Sequence, residues 1–426
     1  MLYSIAKVIM WMTLHLYFRR IVFQQRRSIP DGEPVILIAN HAASFLDAML
    51  LGVLMNRPVH FFARSDIFRK PLANRMLRKF RMIPIYNVEH GKSDLVRNEE
   101  TFAEGEAVLN NRGLLLIFPE GISRVERIML PLKKGTARVA LQTEAKRDFR
   151  LGLKVIPVGI NYSRHRFRAD VLISAGAPTL VSDYEAVYRE NPAKAITRLT
   201  RELEEKFSRT IYFVRQPERT ALIDRLLELY RSDAFNPLDA LRGTPVLELE
   251  KRVCDTVSEM SDAAFERISG DLDRYDAMLA AHGFADASVN GRYRFTLLHV
   301  LALIITFPVF LLSSMLNAVP MWLARFVADR TVTRIDFYTS VHTAAGGFIY
   351  LLWWILLMIV GTVAGGAFTW VSIFAPVTLF AGIRWWEASV SLFAHLRYLW
   401  AARMHPSRAT DFRVLRDRIA FWPERP

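Results

Sequence analysis

The chain has 426 residues, 52% of them apolar, with 28 Phe, 13 Tyr and 9 Trp. Such a length leaves room for more than one domain, and such an apolar share argues against a wholly soluble protein. The formal charge of +14 favours phosphate-bearing partners, while the lone Cys254 excludes an intramolecular disulfide and fits a reducing compartment.

The first residues, MLYSIAKVIMWMTLHLYFRRIVFQQRR, show no small-residue cleavage site after their apolar stretch. Only eleven uncharged residues, Val8 to Phe18, separate Lys7 from Arg19, too few to span a bilayer. Basic flanks and interfacial Trp11, Tyr17 and Phe18 predict a helix lying in the membrane surface over residues 1–28. The alternative is a core helix of the following domain.

Residues 29–215 alternate short apolar runs with helical patterns. PVILIAN (34–40), VHFFA (59–63), MIPIY (82–86), GLLLIFPEG (113–121), VIPVGINY (155–162) and VLISAG (171–176) are strand candidates, and 97–111 and 135–146 are helix-like. Continuous apolar strands between helices imply an α/β domain with a mainly parallel, helix-flanked sheet. Residues 216–291 read as a charged helical region with a loop at Phe235–Pro245.

Residues 292–385 change character. Thirty residues, Phe295 to Ala324, carry no formal charge and contain Pro308; another 47, Phe337 to Ile383, are also uncharged. A spanning helix needs about 20 apolar residues. The second run therefore predicts a transmembrane hairpin over 341–383 that turns near Gly365-Gly366. The first, at 295–324, is long for one helix and short for two, and predicts a re-entrant or kinked element. Arginines beside both runs (Arg292, Arg294, Arg325, Arg330, Arg334) place the flanks and the α/β domain on the cytoplasmic side. Residues 386–426 read as a basic tail.

Residues 39–50 read ANHAASFLDAML. On one continuous helix His41 and Asp47 would point about 240° apart. A hydrogen bond between them needs His41 in the loop after the strand and Asp47 on the next helix, with Ser44 as a candidate N-cap. A carboxylate on one imidazole nitrogen fixes the tautomer and leaves the other to take a proton from a hydroxyl. Alone this spacing is weak, and both residues could equally be ordinary ones at a loop–helix boundary. A second stretch, IFPEGISRVERIMLPLKKGTAR (117–138), follows a strand and its Pro119 breaker, where α/β sheets place ligands. Arg124, Arg127, Lys133 and Lys134 gather there, and Gly135 can open a helix whose amides favour phosphate. No Cys/His spacing suits zinc, and no metal is expected.

ANHAASFLD, FFARSDIF (61–68), IFPEGISR and VIPVGINY, in this order and spacing, resemble the four motifs of the glycerolipid acyltransferase family, the glycerol-phosphate and lysophosphatidate acyltransferases. The resemblance covers roughly residues 30–215, and the five-residue His–Asp gap is similar to the subgroup of fungal-type glycerol-3-phosphate acyltransferases. It implies His41 as general base and Asp47 as its orienting partner. It implies a block of Phe118, Pro119, Glu120 and Gly121 near the phosphorylated acceptor, with Arg64, Arg124, Lys133 and Lys134 for its phosphate. Ile156 and Pro157 match the fourth block, linked to acyl-donor binding or to strand packing, and packing is the stronger reading. Glu120 could equally be a structural carboxylate, and Arg124 and Arg127 could face solvent.

The implied function is membrane-bound transfer of a fatty acyl group from acyl-CoA or acyl carrier protein to glycerol-3-phosphate or lysophosphatidate. No cofactor is implied, the partners are these substrates and the lipid bilayer, and no nucleic acid is expected. The alternatives are another lysolipid acceptor, a lipid or thioester hydrolase and, last, a non-enzymatic scaffold for anionic lipid. One departure is Asn87, after IPIY, where many relatives carry Arg. An amide there cannot stand in for a guanidinium, so the phosphate either goes without that cation or takes it from Arg64, Arg81 or Lys92.

Overall fold

The computed structural model describes residues 2–86, 92–234, 246–291 and 296–419. Asn87, the loop expected at 235–245, and Arg292 and Arg294 lie outside them, as does the side chain of Lys92. The chain divides into two compact units: Met1–Phe213 with Thr333–Thr343, and Val214–Val332 with Ala344–Pro426.

The first unit runs α1 (Leu2–Tyr17), β1 (Arg20–Gln24), β2 (Val35–Ala39), α2 (Phe45–Leu54), β3 (Val59–Arg64), α3 (Pro71–Lys79), β4 (Met82–Ile85), α4 (Lys92–Asn110), β5 (Leu114–Ile117), α5 (Gly135–Ala145), β6 (Lys154–Tyr162), β7 (Asp170–Ala175), β8 (Thr179–Leu180), α6 (Glu185–Glu190) and α7 (Pro192–Ser208). The sheet order is β1-β7-β6-β2-β5-β3-β4, with β8 beside β6. Strands β6, β2, β5, β3 and β4 form one parallel block. Strand β7 is antiparallel to β6, and β1 is parallel to β7. The fold is therefore the helix-flanked, mainly parallel sheet that the apolar runs imply.

Strand β2 shows why continuous apolar runs mark this architecture. All five residues of VILIA are buried. Val35, Leu37 and Ala39 pack with Leu14 of α1 and Leu46 and Leu50 of α2, while Ile36 and Ile38 pack with Leu141 of α5 and Leu199 and Phe207 of α7. Both faces need apolar residues because both are covered.

The N-terminal boundary differs from the expectation at residue 28. Helix α1 ends at Tyr17, and Arg20–Gln24 pairs with β7 as a sheet strand, so the domain begins before residue 29. Leu14, Tyr17 and Phe18 are buried in its core, which is the alternative left open above. The opposite side of α1 exposes Ile5, Val8, Trp11 and Met12. The sequence conceals β1 because Arg19 and Arg20 look like a membrane flank, but both fork the buried Asp170, at 2.6 and 2.7 Å. Burial would raise the Asp170 pKa, and the two guanidinium groups outweigh it and hold the carboxyl well below the usual range.

The second unit is helical: α8 (Thr220–Ala234), α9 (Val246–Glu259), α10 (Asp262–His282), α11 (Asp286–Val289), α12 (Leu297–Thr331), α13 (Ile335–Ala364), α14 (Ala367–Met404) and α15 (Pro406–Ile419). The opening turns of α13, through Thr343, belong to the first unit. Three helices, α12, α13 and α14, are long and apolar enough to cross a membrane. The hairpin turn falls at Gly365 and Gly366, both at positive φ, but its arms run well beyond 341–383. The expected basic tail is not a tail either. Helix α14 continues to Met404, and buried Arg416 of α15 pairs with Asp286 at 2.7 Å.

Helix α12 is helical across the whole of 297–331, with Pro308 and Pro320 inside it, rather than ending at 324. Its contacts trace a bend. Phe310 stacks on Trp385, and Asn317 meets Thr378, closer to the hairpin tip. Asn317 also meets Tyr350, whereas Ala324 packs on Gly346, farther from the tip. The helix thus approaches the tip as far as Asn317 and then withdraws. Pro320 explains the apex, because it cannot bond the carbonyl of Leu316 four residues earlier. That carbonyl instead accepts the indole N–H of Trp353 at 2.7 Å.

One glycine fixes how the chain after α7 lies on the sheet. A Cβ at Gly159 would fall 1.9 Å from the Thr210 carbonyl oxygen, and the next residue but one, Asn161, bonds that carbonyl at 3.0 Å. Gly159→Ala should cost about 1–3 kcal/mol through overpacking. A thermal melt of the purified protein in detergent checks this, and an unchanged midpoint would contradict the packing described.

Candidate active site

The parallel strands deliver their C-terminal ends to one edge of the sheet, and the site is built there. Asn40 follows β2 and continues its pairing with side-chain atoms: Nδ2 donates to the Ile160 carbonyl at 2.8 Å and Oδ1 accepts from the Ile160 N–H at 2.7 Å. This clamp sets the exit of the chain, and His41 comes next. Its ring stacks on Phe118, which follows β5, at a centroid distance of 4.0 Å and 18° between planes. Its carbonyl accepts the Arg124 N–H at 2.9 Å.

His41 Nδ1 lies 3.0 Å from Asp47 Oδ2. The expected arrangement, with His41 in the loop and Asp47 in the first turn of α2, is present. The same oxygen accepts the Ala43 N–H at 2.8 Å, and Asp47 Oδ1 accepts the Tyr162 hydroxyl at 2.7 Å. Asp47 is fully buried, and three donors converge on it and satisfy its oxygens. Burial, then the charge and acceptor of Asp47, raise the Tyr162 pKa well above its ordinary value, and the phenol stays a donor. Nothing in the sequence singles out Tyr162. It ends the VIPVGINY strand, and the only available signal is its shared face with Val158 and Ile160.

Ser44 does not cap α2. Its backbone sits at φ 50, ψ −127, with no side-chain cap bond. Its N–H bonds Ser123 Oγ at 3.2 Å instead.

A cavity beside the pair is lined by His41, Glu120, Arg124, Tyr162, His165 and Tyr212, among others. Glu120 is buried, with Oε1 lacking a hydrogen-bond partner. Burial pushes its pKa to about 7, the Asp47 charge adds to this, and Arg124 opposes it. Pro119 is buried, and its carbonyl accepts the Lys133 N–H at 2.9 Å. Gly121 sits at φ +77 directly under the Lys133 side chain, where a Cβ would lie 2.4 Å from Nζ. Phe118 stacks on His41, and Glu120 and Arg124 line the cavity with it, while Gly121 and the Lys133 side chain lie against each other outside the cavity lining.

Other expected residues are placed elsewhere. Arg64 is exposed and forks Asp66 at 3.2 and 2.9 Å, away from the cavity lining. Lys134 Nζ reaches Thr197 on α7 at 3.1 Å, so adjacent lysines diverge as α5 begins at Gly135. Ile156 and Pro157 are buried within β6, opposite Leu37 and Ile38, and pack the sheet. Arg127, by contrast, lines the cavity, tied to the Tyr162 carbonyl at 2.7 Å and lying over the Tyr212 ring. Arg81, at φ 64, reaches His60 Nε2 at 3.1 Å. No cluster of metal-ligating side chains occurs among the described residues.

Residues 20–161 match the family model described as Acyltransferase. The chain is 31% identical over 113 residues to glycerol-3-phosphate O-acyltransferase 2 of Saccharomyces cerevisiae, covering 26% of this chain and 15% of that protein. It is 38% identical over 77 residues to an uncharacterised acyltransferase of Schizosaccharomyces pombe, covering 18% of this chain and 11% of that protein. The aligned regions are thus a small part of these curated relatives. Among solved structures, the 1-acyl-sn-glycerophosphate acyltransferase PlsC of Thermotoga maritima aligns over 47% of this chain and 80% of that chain, at 21% identity and a TM-score of 0.33.

Glu120 makes a stability prediction with a definite sign. Its folded pKa of about 7 exceeds the ordinary 4.5, so its contribution is fully present below 4.5 and is lost as pH rises through 7. Glu120→Gln should match the wild type at pH 4 and become more stable than it by pH 9, by on the order of 3 kcal/mol. Melting both proteins across that range checks it.

Proposed function

We propose, from the match of residues 20–161 to the acyltransferase family model, that the protein transfers a fatty acyl group from a thioester donor to the hydroxyl of a phosphorylated glycerol or lysophospholipid. The observation that carries this reading is the His41–Asp47 contact of 3.0 Å beside a cavity that also holds Glu120 and Arg124. Asp47 holds the proton of His41 on Nδ1, which leaves Nε2 to accept one. The acceptor hydroxyl gives its proton to Nε2 as its oxygen attacks the thioester carbonyl. The tetrahedral intermediate collapses, the C–S bond breaks, and the departing thiolate takes the proton back. No covalent acyl-enzyme is needed. Arg124 and Lys133 supply positive charge for the acceptor phosphate, and general-base help contributes about 10²–10⁴-fold. The donor is acyl-CoA or acyl carrier protein, and the acceptor glycerol-3-phosphate or lysophosphatidate.

The lipid setting follows from exposed apolar surface. Leu297, Ile305, Met315, Val363 and Trp370 are exposed on the three long helices, a surface that water would penalise heavily. We read α13 and α14 as a membrane hairpin and α12 as a re-entrant helix, so that the ends of α12 and the open end of the hairpin share one face. Arg325, Arg330 and Arg403 lie towards those ends, and the excess of arginine makes that face cytoplasmic. Fatty chains then stay in the bilayer, which spares about 0.8 kcal/mol per CH₂ of exposure to water.

Purified protein given labelled acyl-CoA, or acyl carrier protein, with a panel of acceptors should form product with glycerol-3-phosphate or lysophosphatidate. His41→Ala and Asp47→Asn should lower turnover by about 10²-fold or more. Full turnover in His41→Ala would reject the mechanism, and free fatty acid without acceptor would indicate a hydrolase.

A further inference from the structure

Helix α2 starts from a strained turn. Ser44 occupies φ 50, ψ −127, a region that L side chains avoid. Its own hydroxyl makes no cap bond. The turn closes on its own backbone, with the Leu46 N–H on the Ala43 carbonyl at 3.1 Å and the Asp47 N–H on the Ser44 carbonyl at 3.2 Å, and it presents the Ala43 N–H to the same Asp47 oxygen that meets His41 Nδ1.

A second bridge across the same two groups comes from almost three hundred residues away. The Ser340 hydroxyl accepts the Leu46 N–H at 3.1 Å and donates a short bond to the Ala43 carbonyl. One buried oxygen, on a residue 1% exposed, therefore closes both ends of the Ala43–Leu46 turn. The segment carrying it is docked firmly into the same compact unit. Phe337 meets Phe45 edge-on, His342 meets Tyr17 edge-on, and buried Asp336 is forked by Arg334 at 3.1 and 2.9 Å.

We propose that Ser340 is a positioning residue for the reaction: by clamping the Ala43–Leu46 turn it keeps the Asp47 carboxylate aligned on His41 Nδ1. It touches no substrate and acts only through that turn. Ser340 lies in the opening turns of α13, one of the three long apolar helices, so the proton-transfer geometry is completed by the same helix that continues into the lipid-facing region. The inference rests on the function proposed above.

The test uses the full chain in lipid nanodiscs, with the acceptor that proves active. Ser340→Ala should lower kcat about tenfold while KM for donor and acceptor stays within twofold and the melting midpoint holds. Ser340→Thr, which keeps the hydroxyl, should restore most of kcat. In an Asp47→Asn background Ser340→Ala should cost nothing further, since both act on one contact. Thr343→Val is the control, a buried hydroxyl on the same segment that donates to the Thr339 carbonyl. It should leave kcat unchanged. Wild-type kcat in Ser340→Ala overturns the inference, as does an equal loss in Thr343→Val, a Thr variant as slow as the Ala one, or full additivity with Asp47→Asn. Turnover in His41→Ala at the wild-type rate would instead sink the reaction mechanism itself, whereas an inactive His41→Ala beside a normal Ser340→Ala removes only this role.

Discussion

A carboxylate with no solvent exposure must be satisfied by hydrogen bonds or give up its charge, and that constraint on Asp47 organises the first unit. Its three donors come from separate parts of the chain. His41 lies in the loop after β2, Ala43 N–H in the turn before α2, and the Tyr162 hydroxyl at the end of β6. Each donor has its own support. Asn40 ties the His41 loop to β6, Ser123 and Ser340 hold the turn, and parallel pairing of β2 with β6 sets the height of Tyr162. The carboxylate is thus both a reason for the sheet edge to assemble as it does and the means by which one imidazole tautomer is selected.

Glu120 meets the opposite condition. It is buried near Asp47 with one oxygen unpartnered, and its proton is held up to about pH 7. Two carboxyl groups in one pocket are tolerated because their surroundings differ: Asp47 is ringed by donors, and Glu120 has mainly the charge of Arg124 to oppose its burial. The same rule governs the long apolar helices. Pro320 frees the Leu316 carbonyl because it has no N–H to offer it, and Trp353 supplies the donor. Asn317 is buried beside it and satisfied by the Ser313 carbonyl and the Tyr350 hydroxyl.

Much of the fold was legible in sequence because burial on both faces leaves an unmistakable mark. VILIA and LLLI are apolar throughout and VIPVGINY is apolar up to Asn161, and only a sheet covered by helices asks for that. The site was legible in part. Spacing made His41 and Asp47 only weak candidates and required a loop between them; the resemblance to the acyltransferase motifs singled them out and set Phe118–Gly121 beside them. The errors have a common cause. β1 passed for a membrane flank because the partner of its arginines, Asp170, lies about 150 residues on. Arg64 and Lys134 were cations close to the motifs, yet their side chains leave for Asp66 and Thr197.

What the chain's order of residues determined by itself was the alternation of buried strands and helices, the apolar segments in the second half and the positions able to transfer a proton, since these depend on local periodicity and side-chain chemistry. What only the tertiary structure decided was which distant groups complete the site. Tyr162 and Ser340 carry no pattern that marks them, because a hydrogen bond across 115 or 294 positions is fixed by strand register and helix docking rather than by neighbours in the chain.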